Sequence, residues 1–161
     1  MIKYIGAGVI FLLSFYLSSE HGRYCRRRLF EGEAALAFMK ALRRDLGCFL
    51  RPISEWAQDY EDSVFLESGF LSLLREGASL GEAYRVSEPK FNMSEAAKSS
   101  LSSFCAAFGR GYLEDELRLA DAHIAELEEA LSLERTSTPK SCRLVGTLAA
   151  AGSFAIVILL I

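Results

Sequence analysis

Between residues 29 and 135 the apolar positions recur every three or four residues, the spacing that places side chains on one face of a helix. Ala35, Met39, Leu42, Leu46 and Phe49 form one such face, predicting a helix from Leu29 to Phe49 with no proline before Pro52 to separate it from the apolar run upstream. Pro52 opens a short helix, Ile53 to Tyr60, which carries the sole tryptophan, Trp56. A single helix is predicted from Ser63 to Glu76, closed by Gly77. Ser79-Leu80-Gly81-Glu82 has the form of a capping box and starts a helix that ends before Pro89. Ser94 caps the next, with Leu101, Phe104, Cys105 and Phe108 in helical register before Gly109 and Gly111. The last soluble helix runs from Tyr112 to Arg135. Leu113, Leu117, Ala120, Ile124, Leu127 and Leu131 follow the alternating four- and three-residue spacing of a packed seam. Thr136-Ser137-Thr138-Pro139 is expected to interrupt it. No stretch alternates cleanly between apolar and polar, so strands are not supported.

The two ends read differently. Leu144 to Ile161 contains no ionisable residue, and Tyr4 to Ser19 is also uncharged. The C-terminal run approaches the roughly 20 residues that a helix needs to cross a hydrocarbon core, whereas the shorter N-terminal run would span with Met1 and Ile2 included and some local thinning of the bilayer. Every Asp and Glu lies between Glu20 and Glu134. Only Lys3 precedes the first run, whereas Arg23, Arg26, Arg27 and Arg28 follow it, which favours a retained anchor over a cleaved signal peptide. Lys140 and Arg143 border the second run. Basic residues beside a span resist translocation, so the middle is expected in the cytoplasm with both short tails outside. The fold class predicted is all-α: a cytoplasmic antiparallel helical bundle, residues 20–140, flanked by transmembrane helices at 1–19 and 141–161. The arginine run also suits contact with anionic lipid. In the second span Gly146, Ala150 and Gly152, with the small pair Ala149/Ser153, suit a helix–helix contact inside the membrane.

Composition narrows the function. At 161 residues and a formal net charge of −3 nothing points to nucleic acid. The four cysteines, Cys25, Cys48, Cys105 and Cys142, are far apart in sequence with no Cys-x-x-Cys, so reduced thiols are expected, and nothing requires acylation of Cys25 or Cys142. Phosphate-binding loops, dinucleotide fingerprints and His-Glu-x-x-His are all missing from the sequence. His123, among Asp121, Glu126 and Glu128, lacks a second nitrogen or sulfur ligand at helical spacing. Glu114, Asp115 and Glu116 open a helix, where negative charge suits the dipole. The expectation is a non-enzyme with no cofactor and no metal.

Several strings resemble the stage III sporulation protein AB family of endospore-forming bacteria. These are Met1 to Ala7, Asp45-Leu46 followed by Pro52-Ile53, Gly77 with Glu82-Ala83-Tyr84, Phe104 with Phe108-Gly109 and the charged helix after them, and Val157 to Ile161. The resemblance covers nearly the whole chain. It implies a helical bundle similar to the cytoplasmic domain of the F-type inner-membrane protein of type II secretion. It also implies a scaffold role in the channel complex linking mother cell and forespore, in the mother-cell membrane. The partners it implies are a cytoplasmic secretion-type ATPase and neighbouring membrane subunits, with self-association a further expectation. A general helical adaptor or sensor unrelated to sporulation is the alternative.

Overall fold

The computed structural model describes the backbone of residues 2–48, 52–108 and 113–160, and the side chains of these except 2–11, 46–48, 113, 157, 159 and 160. The described elements are helical throughout: α1 (Ile2–Cys48), α2 (Ile53–Asp59), α3 (Ser63–Glu67), α4 (Phe70–Arg75), α5 (Leu80–Ser87), a 3-10 turn (Glu88–Lys90), α6 (Glu95–Ala107) and α7 (Leu113–Leu160). They form two compact units, residues 28–132 and residues 1–27 with 133–161.

In the 28–132 unit the local starts and stops follow side-chain chemistry. Asp62 accepts hydrogen bonds from the Val64 and Phe65 backbone amides (2.9 and 3.3 Å) and starts α3. Ser79 and Ser94 do the same for the Glu82 and Ala97 amides, both at 3.3 Å, as their positions before α5 and α6 predict. The helix expected from Ser63 to Glu76 is divided: Gly69 takes φ +80°, ending α3 and opening α4. The apolar period continues across the break, so periodicity does not reveal it. Gly77, at φ +94°, closes α4, with its amide bonded to the Leu74 carbonyl and that of Ala78 to Leu73 (both 3.0 Å), the paired bonds of a Schellman end.

Core packing centres on Phe38, fully buried, whose ring lies 4.8–5.7 Å from those of Trp56, Tyr60, Phe65 and Phe70. These centroid distances, mostly edge-to-face, are those at which aromatic pairs add to simple burial. Ala35, Met39 and Leu42 are buried as their spacing predicts, while Leu46 and Phe49 lie outside the described side chains. Facing them, Ala120, Ile124, Leu127 and Leu131 of α7 are buried. Within this unit α1 and α7 are antiparallel: Arg43 pairs with Asp121, Lys40 with Glu128, and Gly32 lies opposite Leu131. Gly32 permits that approach, since a Cβ there would lie 2.7 Å from Leu131 Cδ2. Glu31, buried, accepts hydrogen bonds from the backbone amide and the side-chain amide of Asn92, which satisfies a carboxylate that would otherwise be costly to bury.

The other unit has a different construction. From Leu12 to Tyr16 and from Leu144 to Ile158 most large apolar side chains face outward; Phe15 is 77% exposed and Ile158 74%. Between the helices lie small residues, Ser14 and Ser18 against Gly146, Ala149, Ala150 and Ser153, lining a cavity of about 110 Å³ with Phe15. Buried Ser153 turns its hydroxyl onto the Ala149 carbonyl. Among the described residues no helix is long and apolar enough to cross a membrane. More than half of the first expected span, side chains 1–11, lies outside the described residues, and in the second only side chains 157 and 159–161 do.

Two expectations about the long helices are resolved. α1 runs unbroken from Ile2 into the 28–132 unit. The expected interruption at Thr136–Pro139 is corrected: α7 passes through with Pro139 inside it. An internal proline removes one backbone hydrogen bond and costs about 3 kcal/mol. Thr136 and Ser137 return their hydroxyls to the Leu133 and Glu134 carbonyls (2.9 and 3.2 Å), so residues that favour turns are satisfied within the helix.

Candidate interaction surfaces

The aromatic core holds α2 against α4 and α4 against α5, and a concave surface lies beside it in the 28–132 unit. A cleft of about 330 Å³ lies where the start of α5 meets the end of α6, lined by Ser79, Leu80, Gly81, Glu82, Arg85, Cys105, Ala106 and Phe108. Gly81 packs beside the Cys105 carbonyl oxygen, where a Cβ would make an ordinary contact at 3.5 Å. Cys105 is fully buried and desolvation pushes its thiol well above the ordinary range, so it is a packing residue and not a nucleophile. Next to the cleft Val86 is 55% exposed on α5. Of the string Glu82-Ala83-Tyr84, Ala83 and Tyr84 are buried and only Glu82 is outward. The Tyr84 hydroxyl donates to the Lys98 carbonyl (3.0 Å), and burial raises its pKa. The cleft therefore offers an apolar floor with one carboxylate and one guanidinium at its rim.

The charges elsewhere on this unit are largely engaged. Arg43 makes a bidentate pair with Asp121 (2.8 Å for each bond), which raises its pKa through the hydrogen bonds and then the adjacent charge. Asp45 accepts from Trp56 Nε1 (2.7 Å) and Arg44 Nε (3.0 Å), and these bonds hold its carboxyl below the usual range. His123 Nδ1 lies 3.4 Å from Glu126 Oε2, and Asp121 is taken by Arg43, so the acidic face of α7 does not converge on the imidazole.

Of the seam, Ala120, Ile124, Leu127 and Leu131 are buried, Leu117 is half-buried, and the Leu113 side chain lies outside the described residues. Arg23 pairs with Glu20 (2.9 Å). Arg26, Arg27, Lys140 and Arg143 are exposed and Arg28 is half-buried. Gly146 and Ala150 line the small-residue cavity, whereas a Cβ at Gly152 would meet nothing within 4 Å. Two of the cysteines, far apart in sequence, meet in the fold: Cys25 and Cys142 come together with His21 within 4.8 Å, the only potential metal-ligand group of three or more among the described residues. His21 and Cys25 are four residues apart on α1, a weak signal in the sequence. Cys142, from the other end of the chain, has no sequence signal at all.

No curated protein and no solved structure matches the chain. One family model does, and it extends over residues 3–161, taking in both long helices and the bundle elements between them. By that match the chain belongs to the stage III sporulation protein AB family.

Proposed function

We propose that this sporulation protein is a non-enzymatic, two-pass membrane scaffold of the secretion-like channel complex between mother cell and forespore. Its bundle, residues 28–132, lies in the cytoplasm and docks a secretion-type ATPase. The membrane part is carried by the outward-facing apolar residues of the 1–27/133–161 unit. Exposed Leu12, Leu13, Phe15, Leu148, Phe154 and Ile158 form more apolar surface than a water-facing helix pair tolerates, and lipid would cover it. The basic residues Arg23 to Arg28 and Lys140 and Arg143 support the same placement, with anionic headgroups as their counter-charge. The docking part is supported by the family match and by the cleft at α5 and α6, whose rim carries Glu82 and Arg85.

A pull-down of the detergent-solubilised full chain from sporulating cells should recover the ATPase and membrane subunits of the complex. Arg85→Glu with Val86→Asp should lose the ATPase and leave helical content unchanged. Recovery of the ATPase at wild-type yield would place docking elsewhere. A cysteine introduced at Ser99 should be protected from impermeant reagents in intact cells. Labelling from outside would overturn the topology.

A further inference from the structure

His21 and Cys25 lie one turn apart on α1, and Cys142 of α7 meets them in the same compact unit. Their ligand atoms all lie within 4.8 Å of one another, and Cys25 Sγ is 3.5 Å from His21 Nε2. Zinc bonds of about 2.3 Å to thiolate and 2.0–2.1 Å to imidazole, at tetrahedral angles, place donor atoms roughly 3.5–3.8 Å apart. The sulfur–nitrogen separation is therefore already that of an edge of a zinc tetrahedron. All three side chains are half-buried, close enough to the surface for an ion to enter and sheltered enough to hold it.

We propose that His21, Cys25 and Cys142 form a zinc site with three protein ligands and one open position. Two thiolates and a neutral imidazole are a borderline-soft set that suits Zn²⁺, and the two thiolates cancel its charge. Both thiols lose their protons on binding, so affinity rises with pH. The ion would clamp α1 to α7, joining residues 117 apart in sequence within the unit where the two helices otherwise meet through small side chains. This assignment stands on side-chain geometry and does not depend on the scaffold reading.

The test uses the reduced full chain in detergent, stripped of metal and titrated with Co²⁺ and then Zn²⁺. One equivalent of Co²⁺ should produce tetrahedral d–d bands and a thiolate charge-transfer band, both abolished by one equivalent of Zn²⁺. His21→Ala, Cys25→Ser and Cys142→Ser should each weaken zinc binding by more than about 100-fold, beyond what loss of a supporting residue costs. Cys48→Ser should change nothing. His21→Cys, which supplies a third thiolate, should restore binding with a stronger charge-transfer band, so lost binding cannot be ascribed to misfolding. The proposal is overturned if zinc binding is absent or survives all three ligand substitutions. It is equally overturned if the site takes Cu⁺ and rejects Zn²⁺, or if thiol trapping in cells captures Cys25 and Cys142 as a disulfide.

Discussion

The two units of this chain are built with opposite polarity. In residues 28–132 the large side chains point inward: Phe38, Phe65, Phe70 and Phe104 are almost completely buried. In residues 1–27 with 133–161 the small side chains point inward, around Ser18 and Gly146, and Phe15, Leu17, Leu148 and Phe154 point outward. The same α-helical backbone serves both. What differs is the origin of cohesion. The first unit gains from removing apolar area from water, worth about 25 cal/mol per Å². The second makes close contacts between small residues and leaves its large apolar side chains outward.

The largest test of this contrast is a matched pair of truncations. Phe38→Ala removes the hub of the aromatic cluster and should cost about 3–5 kcal/mol on chemical denaturation of the full chain in mild detergent. Phe15→Ala, at a side chain 77% exposed, should leave that transition where it is. Equal losses at both sites would mean that the outward residues are packed after all.

A similar cost is expected from Ile124→Asp, which places an unpaired charge in the buried α7 seam; roughly 3–5 kcal/mol follows from the penalty for an uncompensated buried ion. Glu128→Ala removes one exposed partner of Lys40 and should shift the midpoint far less. Comparable midpoints for the two variants would sink the seam.

Glycine substitutions probe the helix contacts more finely. Gly32→Ala brings a Cβ to 2.7 Å of fully buried Leu131, so overpacking of about 1–3 kcal/mol should outweigh a helix-propensity gain of about 1 kcal/mol. Gly146→Ala meets only Ser18 Oγ at 3.4 Å, an ordinary contact, and should be neutral or slightly stabilising. Reversed signs in the two melting temperatures would contradict the contact geometry.

The smallest effect is electrostatic. Hydrogen bonds from Trp56 and then Arg44 hold the Asp45 carboxyl below its usual range. Its contribution is complete above the unfolded-state pKa and is lost as pH falls through the lower folded-state value. Asp45→Asn should therefore be slightly less stable near neutrality and should converge with the parent as the solution is acidified. A constant gap between the two denaturation curves down to strongly acid pH would remove Asp45 from the account.

What the sequence alone determined was local. Ser79 and Ser94 sit one residue before helices and accept the amides that any helix start leaves open, so their role depends on nothing distant. The faces Ala35/Met39/Leu42 and Ala120/Ile124/Leu127/Leu131 are likewise set by three- and four-residue spacing within one helix. The family strings, also local, carried the assignment that the full-length match bears out.

Only the tertiary structure decided which residues from distant segments meet. Phe38 is the hub because α2, α3, α4 and Tyr60 just after α2 bring four aromatic rings to it; the three-four pattern singled out its neighbours Ala35, Met39 and Leu42 instead. Arg43 is spent on Asp121, and Glu31 on Asn92, across 78 and 61 residues. Gly69 breaks a helix whose apolar period runs straight through it, and Pro139 does not break one whose composition favours a stop. His21, Cys25 and Cys142 become neighbours only when α1 and α7 lie antiparallel. Spacing along one helix says which face a residue shares. It carries no information about what another helix, a hundred residues away, will bring to that face.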